Sequence, residues 1–461
     1  MKPMIFADDV PVLVLFCKRP RLGVGKQRIA RQLGAERALA VSELLLATAL
    51  EDLAEWHGRV VIAPAAAGDT DWAQQLLPGA AAVPQGTGNL GQRINHVDSA
   101  LRAAGARRIL YIGIDAPDLN AGLLAAAADA LHSHDSVLVP AEDGGVTLLG
   151  SARAWPALST LPWETNELGA ALEQCCRRVG WEVCNLGQGR DIDTWQDLRN
   201  ALPVLRQDAR PGRQALAAWI DKQQSIAAII PVYNDLPALR RLLTLLAESQ
   251  PAVTEVIVVD GAGQADCHQL CAHFGVRYAE ARPCRGSQLD AGAQLATTEL
   301  LWFLHADSTP PRNAVELIRE HIAAHHAGGY FRFRFSGKRS WLKRLLAGAI
   351  NTRARFGVPY GDQGLFMTRA AYRAAGGFAP TPLFEEVPLV KALRTQGRFA
   401  ALEASMGVSP RRWERDGWLR RTLHNRLLAL GHALGIAPER LARMYQPRPE
   451  PRSTSRPSAA G

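Results

Sequence analysis

The sequence predicts an α/β protein, two domains with mainly parallel sheets in a chain of 461 residues. Three observations lead there. In both halves, short apolar runs of strand length alternate with longer amphipathic stretches. Several of these runs end in a carboxylate, and open α/β sheets bind ligands beyond the carboxyl ends of their strands. A break marked by Pro203, Pro211 and Gly212 separates the halves, with residues 203–224 expected as a linker.

In the first half, strands are expected at Val12 to Phe16, Arg59 to Ile62, Arg108 to Ile114 and Ser136 to Val139, alternating with helical stretches such as Glu36 to Glu55. The first strand runs into Lys18 and then Gly23-Val24-Gly25-Lys26-Gln27-Arg28, a glycine-containing loop with a helix behind it. Backbone amides and a helix N-terminus favour an anion there, and Lys18, Lys26 and Arg28 add charge. The loop lacks the GxxxxGK[ST] spacing of a Walker loop. Asp115 follows a strand, Asp143 lies in Pro140 to Gly145, and Asp193 closes Asp191-Ile192-Asp193.

In the second half, Ser225 to Asp235 (SIAAIIPVYND) reads as a strand closed by Pro231, followed by an amphipathic helix from Leu236 to Ala247. Glu255 to Gly263 is a strand ending on Asp260 and glycines, a spacing that lets backbone approach a ligand. Leu300 to Leu304 is long enough for a buried parallel strand and too short for a typical helix, and it delivers His305-Ala306-Asp307. Asp307 then stands where a divalent cation bridges a carboxylate to a diphosphate. The alternative is a helix cap, because Asp307-Ser308-Thr309 precedes Pro310-Pro311.

From about Ser225 to Tyr445 the chain resembles the family 2 glycosyltransferases. The resemblance rests on IIPVYND with Pro231 and Asn234, VVDGAG, Arg285-Gly286-Ser287-Gln288, FLHAD, Tyr360-Gly361-Asp362-Gln363-Gly364, Gly376-Gly377-Phe378, Phe384-Glu385-Glu386-Val387 and Ser409-Pro410-Arg411-Arg412-Trp413. It implies a GT-A (Rossmann-like) fold, a nucleotide-sugar donor and Mg or Mn. Asp260 would meet the nucleoside, and Asp307 the metal and diphosphate. Pro231, Asn234, Arg285, Gln288, Asp362 and Gln363 would line the donor site. Glu386 would be the general base, with Glu385, Arg412 and Trp413 around it. An inverting transfer needs that division: one carboxylate takes the acceptor proton while cations offset charge on the leaving diphosphate. The subgroup is one associated with arsenosugar biosynthesis. This chain departs from the family in having Glu385-Glu386 for Glu-Asp and Asp290 for Asn. Singly, Trp413 also reads as core, Arg411 and Arg412 as a solvated basic face, and Glu385-Glu386 as an exposed helix start.

The first half resembles an uncharacterised glycosyltransferase-like family related to nucleotidyltransferases. By that resemblance Asp115 and Asp193 would hold a metal, Lys18, Lys26 and Arg28 would meet a triphosphate, and Asp143 would lie near the acceptor. Gln27, Ile114, Val146 and Glu164 depart from the pattern. A domain that keeps the fold without the chemistry stays open.

Composition fits a cytoplasmic enzyme. No apolar run approaches a membrane span, and the opening MKPMIFADDVPVLV lacks the charged and long apolar regions of a signal peptide. Seven cysteines without a CxxC pair are expected as reduced thiols. The net charge of +9 comes without the interleaved aromatics of a nucleic-acid platform, and no GxGxxG follows a strand, which makes a dehydrogenase reading weaker still. Lys338 to Lys343 and Trp418 to Leu430 combine cations, tryptophan and leucines as an interfacial helix on an anionic membrane does, or as an ordinary amphipathic helix packed on the core. Residues 448–461, rich in Pro, Ser and Arg, read as a disordered tail after a domain at 225–447. The reading from a different class is a nucleotide-binding or membrane-associated assembly protein in which one or both halves are inactive.

Overall fold

The computed structural model describes residues 10–324, 326–338 and 340–445. The expected tail at 448–461 lies outside the described residues, as does Arg339 in the expected interfacial run. The chain divides into two compact units between Asp221 and Lys222.

The first unit holds strands β1 (Val12–Cys17), β2 (Val60–Pro64), β3 (Ala81–Ala82), β4 (Ile109–Gly113), β5 (Ser136–Pro140), β6 (Val146–Ser151) and β7 (Val183–Asn185). Their order in the sheet is β3-β2-β1-β4-β6-β5-β7, with only β6 antiparallel to its neighbours. The second unit holds β8 (Ile226–Val232), β9 (Glu255–Asp260), β10 (Arg277–Glu280), β11 (Leu300–Phe303), β12 (Ser308–Thr309), β13 (His326–Phe335), β14 (Phe366–Thr368) and β15 (Arg398–Val408). Their order is β10-β9-β8-β11-β14-β13-β15-β12. Numbered from its own first strand and with the short β12 set aside, the second sheet repeats the strand order of the first. Both are the mainly parallel α/β sheets expected.

The period of two explains why the central strands are apolar throughout. In β8, Ile226, Ala228, Ile230 and Val232 enter one core while Ala227 and Ile229 enter the other, so helices cover both faces. In β1, Leu13, Leu15 and Cys17 separate from Val12 and Val14 in the same way. Pro231 lies past Ile229, the last residue of β8 paired with β11, and leaves no ladder donor missing on that side.

Residues 203–224, expected as a linker, are mostly helical, and those up to Asp221 belong to the first unit. One helix runs Trp195–Gln207 with Pro203 inside it, and a second runs Pro211–Gln223. Both prolines look like breakers in the sequence. Burial of Leu198, Leu202 and Leu205 holds the first helix through Pro203, and Pro211 starts the second, where its missing N–H costs nothing. Arg213, fully buried, donates to the Asp52 carboxylate at 2.7 and 2.9 Å and to the carbonyls of Thr48 and Leu119. Arg210 adds a contact to Asp52 at 2.7 Å.

Candidate functional site

In the second unit the chain leaves β11 at Phe303 and turns through His305 and Asp307 before β12 pairs with β15. The following helix starts only at Ala314, behind Asn313, so Asp307 is not its cap. The half-buried His305 faces Gly361 so closely that a Cβ there would stand 2.7 Å from Nε2. The 360–364 loop therefore abuts the β11 turn. Nε2 of His305 and Oδ1 of Asp362 are buried with no hydrogen-bond partner among the described residues. Burial, with Arg285 and Arg412 adding to it, holds the His305 imidazole well below its ordinary pKa and so neutral. Burial also raises Asp362 to about 6; neighbouring Asp307 pushes the same way, against Arg353, Arg285 and Arg412.

The Glu385-Glu386 pair closes the other side. Glu386 opens the helix Glu386–Gln396, yet both side chains are buried, which removes the reading of an exposed helix start. Glu385 meets Arg285 at 3.4 Å, and its Oε2 has no hydrogen-bond partner among the described residues. Burial first, and then the charge of Glu385, push the Glu386 carboxyl well above the glutamate range. Gly286 lets Arg285 come this near: a Cβ there would stand 1.8 Å from the Ala379 carbonyl oxygen and 3.1 Å from Cβ of Glu385. Gly286→Ala is expected to cost about 1–3 kcal/mol by overpacking. Thermal denaturation checks this, and an unchanged midpoint would remove the tight approach from the account.

Other expected site residues hold the frame. Asp260 is buried and accepts from the backbone N–H of Ala262 and of Gln264, both at 2.8 Å, which shapes the turn after β9. Gln288 donates to the carbonyls of Val232 and Val259, joining the ends of β8 and β9. Asn234, at φ 54°, accepts from Gln264 at 2.8 Å, and buried Gln363 donates to the Phe331 carbonyl at 3.2 Å. Trp413 packs edge-on against Phe335, with ring centroids 5.0 Å apart, at the rim of a core; Arg412 is exposed. Asp290, which replaces an Asn, accepts from the Tyr372 hydroxyl at 2.7 Å. Sequence reasoning assigned no role to His305 or to Arg353, whose guanidinium lies 3.7 Å from the Tyr360 ring centroid. His305 stood in plain view beside Asp307, whereas Arg353 lies in no motif.

Among the described residues no three His, Cys, Asp or Glu side chains are grouped so as to hold a metal by themselves. Asp307 and Asp362 nonetheless fit Mg or Mn, which is commonly held by one or two carboxylates and completed by substrate phosphates and water. The unpartnered Oδ1 of Asp362 is the kind of donor that fit requires.

The first unit arranges its charges differently. Lys26, at φ 43°, turns its side chain inward, where Nζ lies 2.8 Å from Asp115 and 3.9 Å from Asp193 and donates to the Ile192 carbonyl. Arg28 pairs with Asp193 at 2.8 Å. Burial, followed by the charge of Asp115, raises nearby Asp191 to about 7. Lys18 is exposed at the end of β1, and Asp143 accepts from the Gly145 N–H at 2.9 Å, its charge reaching Asp191. The carboxylates expected to hold metal are thus met by cations of the chain, and Lys26 and Arg28 point into them.

All seven cysteines are free thiols. No helix of the described residues is long and apolar enough to cross a membrane.

Residues 227–375 match Glycosyl transferase family 2, and residues 46–165 match a family described as Uncharacterized protein conserved in bacteria (DUF2064). The family 2 match lies within the second unit, contains Asp260, Asp307 and Asp362, and ends before Glu385. No curated protein matches the chain. Among solved structures, a protein from Desulfovibrio desulfuricans G20 described as a nucleotide-diphospho-sugar transferase is 24% identical over 46% of this chain and 94% of its own, with a TM-score of 0.43. Glucosyl-3-phosphoglycerate synthase from Mycobacterium tuberculosis, solved with Mn2+, UDP and glucosyl-3-phosphoglycerate, is 16% identical over 45% of this chain and 80% of its own, at 0.34. S. aureus TarS in complex with UDP is 16% identical over 40% and 60%, at 0.32.

Proposed function

We propose that the second unit is a metal-dependent, inverting glycosyltransferase that moves a sugar from a nucleoside diphosphate to an acceptor hydroxyl. The observation that carries this reading is the convergence of Asp307, Asp362, Arg285 and the Glu385-Glu386 pair beyond the carboxyl ends of β8, β9 and β11, in and just after the region that matches the family. Bound by Asp307 and Asp362, Mg or Mn would offset negative charge on the diphosphate. Glu386 takes the proton of the acceptor hydroxyl as its oxygen bonds to the anomeric carbon, and the nucleoside diphosphate leaves with the electron pair of the broken bond. Arg285 and Arg412 supply positive charge toward that leaving group. Arg285 also orients Glu385 beneath the base. Neutral His305 adds no charge where the metal and the phosphates meet.

For the first unit we favour a domain that keeps the sheet and the anion-loop glycines without transfer chemistry, because Lys26 and Arg28 already pair with Asp115 and Asp193.

The test is release of nucleoside diphosphate from UDP-, GDP- and dTDP-sugars by the full chain with Mn or Mg. One donor is expected to be turned over, with a loss of about 10²-fold or more in Asp307→Ala. No release and no donor binding by calorimetry would return the protein to the assembly reading.

A further inference from the structure

The helix Trp418–Ala433 carries apolar residues on both of its sides. Its inner side is fixed: Leu428 packs with Leu383 and Leu441, and buried Arg421 reaches Asp416 at 3.3 Å. On the outer side Leu419, Leu423, Leu427 and Leu430 are all more than half exposed, and at 3.6 residues per turn they fall within an arc of about 80°. Leu434, also mostly exposed, continues the row past the helix end. Single exposed leucines are ordinary, whereas a continuous stripe of five marks an interaction face. Exposed Arg420 and Arg426 stand on its two flanks, and Arg440 and Arg443 follow in the next helix. Between Trp418 and Tyr445 there are five arginines and one glutamate. An aqueous protein partner requires no such rim, whereas an anionic bilayer is recognised by this combination of a leucine stripe and flanking guanidiniums.

We propose that this helix lies in the headgroup region of an anionic bilayer and seats the second unit on it. The inner side of the same helix bears on the site. The His432 ring stacks on Phe384, centroids 4.4 Å apart at 19°, and Phe384, at φ 59°, directly precedes Glu385-Glu386. One helix therefore joins the bilayer to the segment that carries the base, and the acceptor is an amphiphile whose hydroxyl sits at that surface. The acceptor clause rests on the glycosyltransferase reading; the docking itself does not.

The experiment is sedimentation of the full chain with vesicles of phosphatidylcholine and phosphatidylglycerol, against phosphatidylcholine alone. Binding is expected only to the anionic vesicles, weakening as salt is raised. Leu423→Glu with Leu427→Glu, and separately Arg420→Glu with Arg426→Glu, are expected to reduce the bound fraction at least about tenfold, with far-UV circular dichroism and donor hydrolysis in the absence of vesicles unchanged. Absence of wild-type binding, or variants that bind as well as wild type, would overturn the proposal. So would a dimer in sedimentation velocity that the leucine variant converts to monomer without any vesicle binding, because the stripe would then be covered by a second copy. Donor hydrolysis without vesicle binding removes only the docking, and vesicle binding without hydrolysis removes only the transferase.

Discussion

Glu386→Gln is expected to slow sugar transfer by about 10²–10⁴-fold while leaving donor affinity within about threefold of the native protein. The substitution keeps the size and polarity of the side chain and removes only its capacity to accept the proton. The pH profile gives a second reading of the same residue. Burial and the Glu385 charge hold the Glu386 carboxyl well above its ordinary range. A raised acid is protonated, and inert as a base, below its pKa, and becomes competent above it. The native kcat/KM should therefore climb with pH along a limb displaced upward from that of a free glutamate, and Glu386→Gln should lack the limb. Steady-state transfer measured across pH decides this. A limb in the ordinary carboxylate range, or near-native transfer by the glutamine variant, would move the base elsewhere, with Glu385 the next residue to test.

Asp52→Ala is expected to destabilise the first unit by about 1–3 kcal/mol, because it takes from the buried Arg213 guanidinium the closest of its three carboxylates and leaves it Glu51 at 3.0 Å and Asp208 at 3.1 Å. In a unit of this size that lowers the midpoint by roughly 2–12 °C. Removing both partners as Asp52→Leu with Arg213→Met should cost less than Asp52→Ala alone, since the carboxylates left behind, Glu51 and Asp208, are partly exposed while the guanidinium is not. Scanning calorimetry of the three proteins checks the order. A single Asp52→Ala loss below about 1 kcal/mol would mean that Glu51 and Asp208 suffice for Arg213.

The strands with strong apolar periodicity were legible in advance. Leu236–Ala247 has the predicted bounds, and β1, β4, β5, β8, β9 and β11 lie where their runs are, since burial on both faces leaves little else a central parallel strand can be. The antiparallel strands β6 and β14 were not foreseen, because their pairing is set by partners distant in sequence and not by their own pattern. Pro203 and Pro211 looked like punctuation because a proline's cost is local, while the burial that offsets it is tertiary. In the site, carboxylates at strand ends stood out as residue types in motifs, but their partners did not. That Lys26 turns into Asp115, that Gln288 ties two strand ends together, and that Asp260 is spent on backbone amides all depend on side-chain direction, which spacing along the chain does not encode.

The repeated strand order sets Asp115 and Asp307 at corresponding places, each just past the fourth strand of its own sheet. At the first place the counter-charge is covalent, carried by Lys26. At the second, on the proposed reading, Mg or Mn supplies it from solution. A counter-charge built into the polypeptide is present whatever the cell's supply of divalent ions, whereas a borrowed one follows that supply. On that reading, one scaffold used twice yields a half whose counter-charge is built in and a half whose output would track the supply of divalent ions.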